Sequence, residues 1–206
     1  MNARYRGCVA EYQPSLLSSR DWKAAEVSWA YNQSPSSDTA ITDSELRSWQ
    51  QRIWQFQQTV IADATPSQGC LFDLATPSLV EDIDPFTLPQ RNAEFWREQF
   101  NDAGNAALYF VVDHAIPILL YVGETVKANQ RWKGTHDCKR YILSYVAAHR
   151  TYNLSVQVNI GFWPYAPAAR KARQSLESEL IHKWKSPFNK ENWGFWATPF
   201  VGKASA

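Results

Sequence analysis

Residues 107–123 read Ala-Leu-Tyr-Phe-Val-Val-Asp-His-Ala-Ile-Pro-Ile-Leu-Leu-Tyr-Val-Gly. Two short apolar runs, Ala107 to Val112 and Ile118 to Val122, are bounded by Asp113, Pro117 and Gly123, a pattern that predicts an antiparallel pair of strands. Downstream, Lys127 to Lys133 and Asp137 to His149 are expected as helices, the second carrying Tyr141, Ile142, Tyr145 and Val146 on one face. Ser155 to Phe162 alternates as a third strand, with Val156, Val158, Ile160 and Phe162 on one side. A longer helix, Pro167 to Lys185, follows; Pro167 suits its first turn and Ser186-Pro187 its end. The order β-β-α-α-β-α predicts an α/β (α+β) fold, a small three-stranded antiparallel sheet flanked by helices.

Upstream of this unit the chain changes character. The first forty residues mix aromatic positions with turn formers and end in Asn32-Gln33-Ser34-Pro35-Ser36-Ser37-Asp38, which reads as a loop. From Ser44 to Ala62, Leu46, Trp49, Ile53, Phe56 and Val60 recur at spacings of three or four, which predicts a helix capped by Thr42 or Asp43. Pro66, Pro77, Pro85 and Pro89 punctuate 63–90, so regular elements there should be short. A second short helix is expected over Gln90 to Phe100, ended by Asp102-Ala103-Gly104-Asn105. The domain expectation is therefore a mainly helical or irregular extension over 1–104 and a compact domain over 105–206, with the extension's aromatics docking onto that domain.

A chain of 206 residues with 45% hydrophobic content can bury a substantial core. No run approaches the roughly 20 apolar residues that a membrane helix needs, and the N-terminus lacks a basic segment followed by an apolar one, so no membrane partner and a cytoplasmic location are expected. Cys8, Cys70 and Cys138 are too widely spaced for a disulfide framework or a Cys-x-x-Cys metal site. His114, His149 and His182 are scattered, which disfavours zinc. The net charge of +1 conceals a division: residues 1–104 carry 8 Lys/Arg against 14 Asp/Glu, net −6, and 105–206 carry 13 against 6, net +7. A basic half suits a polyanion, although such an excess is also found on ordinary solvated surface.

Chemistry-bearing residues fall on the predicted elements in a fixed order. Tyr109 and Tyr121 lie on the first two strands, Tyr121 within Tyr-Val-Gly; Arg131 follows ten residues later and His136 five after that. Glu177 opens Glu-Ser-Glu-Leu-Ile on the long helix, and Asn189 closes Ser-Pro-Phe-Asn beyond it. Leu180, Ile181 and Trp184 stand at i+3, i+4 and i+7 from Glu177, so its carboxylate should lie beside the stripe that packs on the sheet. A salt bridge within the helix is the plainer reading of Glu177. Glu179 is expected on another side, paired with Lys183.

This succession resembles the GIY-YIG nucleases, with a GIY-like strand, a YIG strand, an arginine on the next helix, a metal-binding glutamate followed by Leu-Ile, and a later Pro-x-Asn. Ala107 replaces the first glycine of that pattern, and Thr135 holds the place four after the arginine, with His136 one further on. The resemblance implies a metal-dependent endonuclease acting on DNA, with RNA left open, in repair, recombination or replication-linked processing. It implies one Mg2+ or Mn2+ ion held by Glu177, and contact of Arg131, Lys127 and Tyr121 with the substrate phosphate. Tyr109 would activate the attacking water, Tyr121 would orient the phosphate or that water, His136 would shuttle a proton or cap the following helix, and Asn189 would order the chain after the long helix. A phenol with a pKa near 10 is a poor base at neutral pH, so Tyr109 would need the metal, Lys127 or Arg131 beside it.

A second signal lies upstream. Gln68-Gly69-Cys70-Leu71-Phe72 resembles the Gln-x-x-Leu-Phe peptide that docks DNA-processing proteins on the bacterial sliding clamp, with Leu71 and Phe72 filling an apolar pocket and Gln68 bonding at its rim. The alternative is that Leu71 and Phe72 pack inward. Trp193-Gly194-Phe195-Trp196 could stack bases, or cover a sheet edge or the N-terminal helices. Two other functions stay open: a nucleic-acid-binding or scaffolding protein with a degenerate nuclease site, and a restriction endonuclease whose acidic N-terminal half would be a poor DNA reader.

Overall fold

The computed structural model describes residues 41–63, 79–91, 106–126 and 137–200. In chain order these form α1 (Asp43–Asp63), β1 (Gln90–Arg91), β2 (Ala107–Asp113), β3 (Ile118–Thr125), α2 (Asp137–Thr151), β4 (Val158–Trp163), α3 (Arg170–Trp184), a 3-10 turn (Lys190–Asn192) and a short α4 (Trp193–Trp196). The class is mixed α/β. Three antiparallel strands run in the order β4-β2-β3, and the two-residue β1 adds a fourth at the β4 edge.

The sheet is covered on both faces, which is why β2 is buried along its whole length. On one face Tyr109, Val111, Ile118, Leu120, Val158 and Ile160 pack against Leu46, Trp49 and Ile53 of α1 and Tyr141, Ile142, Tyr145 and Val146 of α2. On the other, Leu108, Phe110, Val112, Leu119 and Val122 meet Leu176, Leu180, Ile181 and Trp184 of α3, with Val80 and Ile83 closing the layer. Helix α1 thus lies before residue 104 in sequence and inside the core of the sheet domain in space.

Its start is a reciprocal cap: Glu45 N–H donates to Thr42 Oγ1 at 3.3 Å and Thr42 N–H donates to Glu45 Oε2 at 2.8 Å. A buried polar chain ties α1 to the sheet. Gln50 Nε2 donates to the Tyr145 hydroxyl at 2.6 Å and lies 2.8 Å from His149 Nε2, and the Tyr145 hydroxyl donates to Asp113 Oδ2 at 2.7 Å. His149 Nδ1 sits 2.7 Å from the Tyr145 carbonyl, which can only accept, so Nδ1 carries the proton and Nε2 accepts from Gln50. Burial lowers the His149 pKa and keeps the ring neutral.

Several expected boundaries differ. Gln90 and Arg91, expected to open a helix, instead pair with Gly161 and Ile160 of β4; the rest of that helix, 92–100, and the one expected over 127–133 lie outside the described residues. Strand β4 begins at Val158 because the turn after β2 takes the residue before it: Gln157 N–H donates to Asp113 Oδ1 at 2.9 Å and its carbonyl accepts from His114 N–H at 2.8 Å. Helix α3 begins at Arg170 because the Pro167 and Ala168 carbonyls accept from Arg173 Nη1 at 2.9 and 3.0 Å. Lys183 pairs with Glu81 Oε2 at 2.8 Å, not with Glu179, which accepts from Ser175 at 3.1 Å. Trp193 packs edge-on against Tyr141 and Trp196 against Phe56, so the aromatic tail wedges between α1 and α2. Among the described residues no helix is long and apolar enough to cross a membrane.

Candidate active site

Regular alternation would put Tyr121 on the face opposite Leu120. It does not, because the β2–β3 register shifts between Val111, opposite Tyr121, and Val112, opposite Leu119, leaving Leu120 as an extra residue on β3. The bulge brings Tyr121 to the face that Tyr109 occupies. The two rings lie 5.8 Å apart at 27°, and Phe162 flanks Tyr109 at 6.2 Å.

Tyr109 faces Gly123 in the ladder, and its ring crosses the place where a Cβ on residue 123 would stand. The glycine of Tyr-Val-Gly is therefore a steric requirement. Tyr109 is fully buried and Tyr121 half-buried. Burial raises the Tyr121 pKa well above its ordinary value, and Tyr109, Cys138 and the Glu177 carboxylate add to that shift. Tyr121 consequently stays protonated at neutral pH, a hydrogen-bond donor and not a base.

Glu177 projects from α3 at the end of β3, where its Oε1 accepts from Glu124 N–H at 3.0 Å. The Glu124 carboxylate turns to Arg173, one turn before Glu177, with Nε 2.5 Å from Oε2. Arg173 is only 3% exposed and its Nη1 holds the Pro167 and Ala168 carbonyls, so one guanidinium joins β3, α3 and the loop before α3. Sequence reasoning missed both Glu124 and Arg173. The i, i+4 spacing of Arg173 and Glu177 was the available signal, although the guanidinium is engaged by the carboxylate across the strand.

Asn189 belongs to the same edge. Its Oδ1 accepts from Val122 N–H and its Nδ2 donates to the Val122 carbonyl, both at 2.9 Å, so the amide pairs with β3 as a neighbouring strand would. Gln57 does the same at Leu119, accepting from its N–H at 2.7 Å and donating to its carbonyl at 3.0 Å. Phe188 N–H donates to the Leu120 carbonyl at 2.9 Å. Glu177 at Glu124 is the last member of this row, so its carboxylate also has a structural task.

Tyr109, Tyr121 and Glu177 thus gather at one end of the sheet, with Asn189 along the adjoining edge. Lys127, Arg131 and His136 lie outside the described residues, as do Gln68, Leu71 and Phe72. Among the described residues no group of three or more His, Cys, Asp or Glu side chains is placed to hold a metal. A divalent ion at Glu177 would have a hard carboxylate oxygen from the protein, a donor that suits Mg2+ or Mn2+ completing its shell with water and phosphate oxygens. No family model, curated protein or solved structure matches the chain.

Proposed function

We propose that the chain is a metal-dependent endonuclease that hydrolyses phosphodiester bonds of DNA. One observation carries this reading: the bulge in β3 turns Tyr121 onto the face of Tyr109, at the end of the strand where the Glu177 carboxylate accepts from the Glu124 amide. Hydrolysis needs a placed water, cancellation of charge growing on phosphate and stabilisation of the leaving oxygen. The divalent ion would supply Lewis acidity to the phosphate and acidify a bound water. Glu177 would hold it, with its orientation fixed by the Glu124 amide. Tyr121, kept neutral by burial, donates a hydrogen bond to a phosphate oxygen or to the attacking water. Tyr109, sealed from solvent, acts through Tyr121 by fixing its ring. Arg131 and Lys127 would neutralise the phosphate, with the resemblance alone behind those roles. On this reading the Gln68–Phe72 peptide would bring the enzyme to replicating DNA.

A second reading, a nucleic-acid-binding protein without turnover, is favoured by the full burial of Tyr109 and by the edge-pairing task of Glu177. Glu177→Gln separates the two, because a glutamine oxygen can still accept from Glu124 N–H while the charge for a cation is lost. With Mg2+ or Mn2+ and plasmid, branched and single-stranded DNA, the hydrolase should cut at least one substrate. Glu177→Gln should lower the rate at least about a hundredfold without shifting the melting temperature. Binding without new ends by the wild type, or undiminished cutting by Glu177→Gln, would overturn the proposal.

A further inference from the structure

Beyond β4 the chain turns through Trp163-Pro164-Tyr165-Ala166-Pro167 into α3. Tyr165 is 79% exposed, and its ring meets the half-buried Trp163 edge-on at 5.9 Å and 74°. The two prolines fix φ on either side of Tyr165 and Ala166, which stiffens the backbone of the loop. Arg173 tightens it further through the Pro167 and Ala168 carbonyls, and the same guanidinium holds Glu124. Exposed Arg170 and Lys171 follow in the first turn of α3.

We infer that Trp163, Tyr165, Arg170 and Lys171 form a platform for an unpaired nucleotide of a single-stranded nucleic acid, beside the candidate active site. The role in choosing a substrate rests on the hydrolase reading; the binding itself does not. Trp163 pairs with Leu108 and Leu108 with Glu124, so two ladder steps, about 10 Å, separate the aromatic loop from the residue that orients Glu177. A projecting aromatic can stack on a base only where the face of that base is open, as in single strands, flaps and frayed ends. Arg170 and Lys171 give the complementary charge for the adjoining phosphates, which an apolar peptide would leave unused. The Arg173 bridge makes the spacing between the platform and Glu177 a property of the fold, so a base stacked on Tyr165 would fix which phosphate reaches the carboxylate.

The test is binding of a fluorescent single-stranded oligonucleotide, and of a blunt duplex of the same sequence, to the full chain in EDTA. Wild type should favour the single strand. Tyr165→Ala should weaken single-strand binding about tenfold, with duplex binding changed less than twofold and the melting temperature unchanged. Tyr165→Phe should bind as wild type does. The Arg170→Ala, Lys171→Ala pair should flatten the log–log salt dependence of single-strand binding by roughly 1.4. Unaltered binding by Tyr165→Ala, equal losses on both nucleic acids, or no nucleic-acid binding by wild type would overturn the inference. Because binding is read without a divalent metal, the expected binding in EDTA followed by no cleavage once Mg2+ or Mn2+ is supplied in excess would defeat only the hydrolase reading. Cleavage by wild type with unaltered binding in Tyr165→Ala would defeat only this one.

Discussion

A methyl group at residue 123 would enter the volume of the Tyr109 ring, which is fully buried and hemmed in by Tyr121 and Phe162. Gly123→Ala should therefore destabilise the fold by about 1–3 kcal/mol, the usual range for overpacking, read as a lower urea midpoint. Pairing it with Tyr109→Ala should make the two effects strongly non-additive. At His149 the sign is set by burial: the folded pKa is lowered, so the neutral ring contributes its full stability above the unfolded value of 6.5. That contribution is lost as pH falls from about 6.5 towards the folded pKa, because the unfolded chain takes up a proton that the folded one refuses. His114, also lowered by burial, adds to the slope. His149→Gln should flatten the acid limb of a stability–pH profile without abolishing it.

The outer edge of β3 is closed at the scale of whole elements by Gln57 from α1, by Phe188 and Asn189 from the segment after α3, and by Glu177 from α3 itself. Asn189→Ala would leave the Val122 N–H and carbonyl without that partner in a buried setting, a cost of about 1–3 kcal/mol. Faster amide exchange at Val122, with exchange in β4 unchanged, is the expected local signature. Much of this architecture is legible in the sequence. The apolar run of 107–112, the alternation from Val156 to Phe162 and the apolar spacing of α1 and α3 depend on which side chains are buried, a local property of the chain. The bulge at Leu120 is not legible, because Ile118 to Val122 is apolar at every position and so names no face. The start of α3 and the pairing of Gln90–Arg91 escape for a related reason: each is fixed by a partner distant in sequence. In the candidate site, Tyr109, Tyr121, Glu177 and Asn189 stand out through their order along the chain. Glu124 and Arg173 stay hidden because their ion pair spans 49 residues and two elements.

For the molecule as a whole, residues 41–63 are integral to the core. Helix α1 supplies Leu46, Trp49 and Ile53 to one face of the sheet, and Gln50 and Gln57 to two buried polar junctions. A chain beginning at residue 79 should show weakened near-ultraviolet dichroism and bind a hydrophobic dye. Trp49→Ala in the full chain should cost about 3–5 kcal/mol in urea unfolding. The junctions that Gln50 and Gln57 make with Tyr145 and Trp184 close loops of 95 and 127 residues. Such closures lose chain entropy before any packing compensates for it, so refolding should be slow for a molecule of this size, with α1 able to coil early through its local cap and to dock late. During synthesis, α1 leaves the ribosome long before Trp184, and for that interval its apolar stripe has no sheet to rest on.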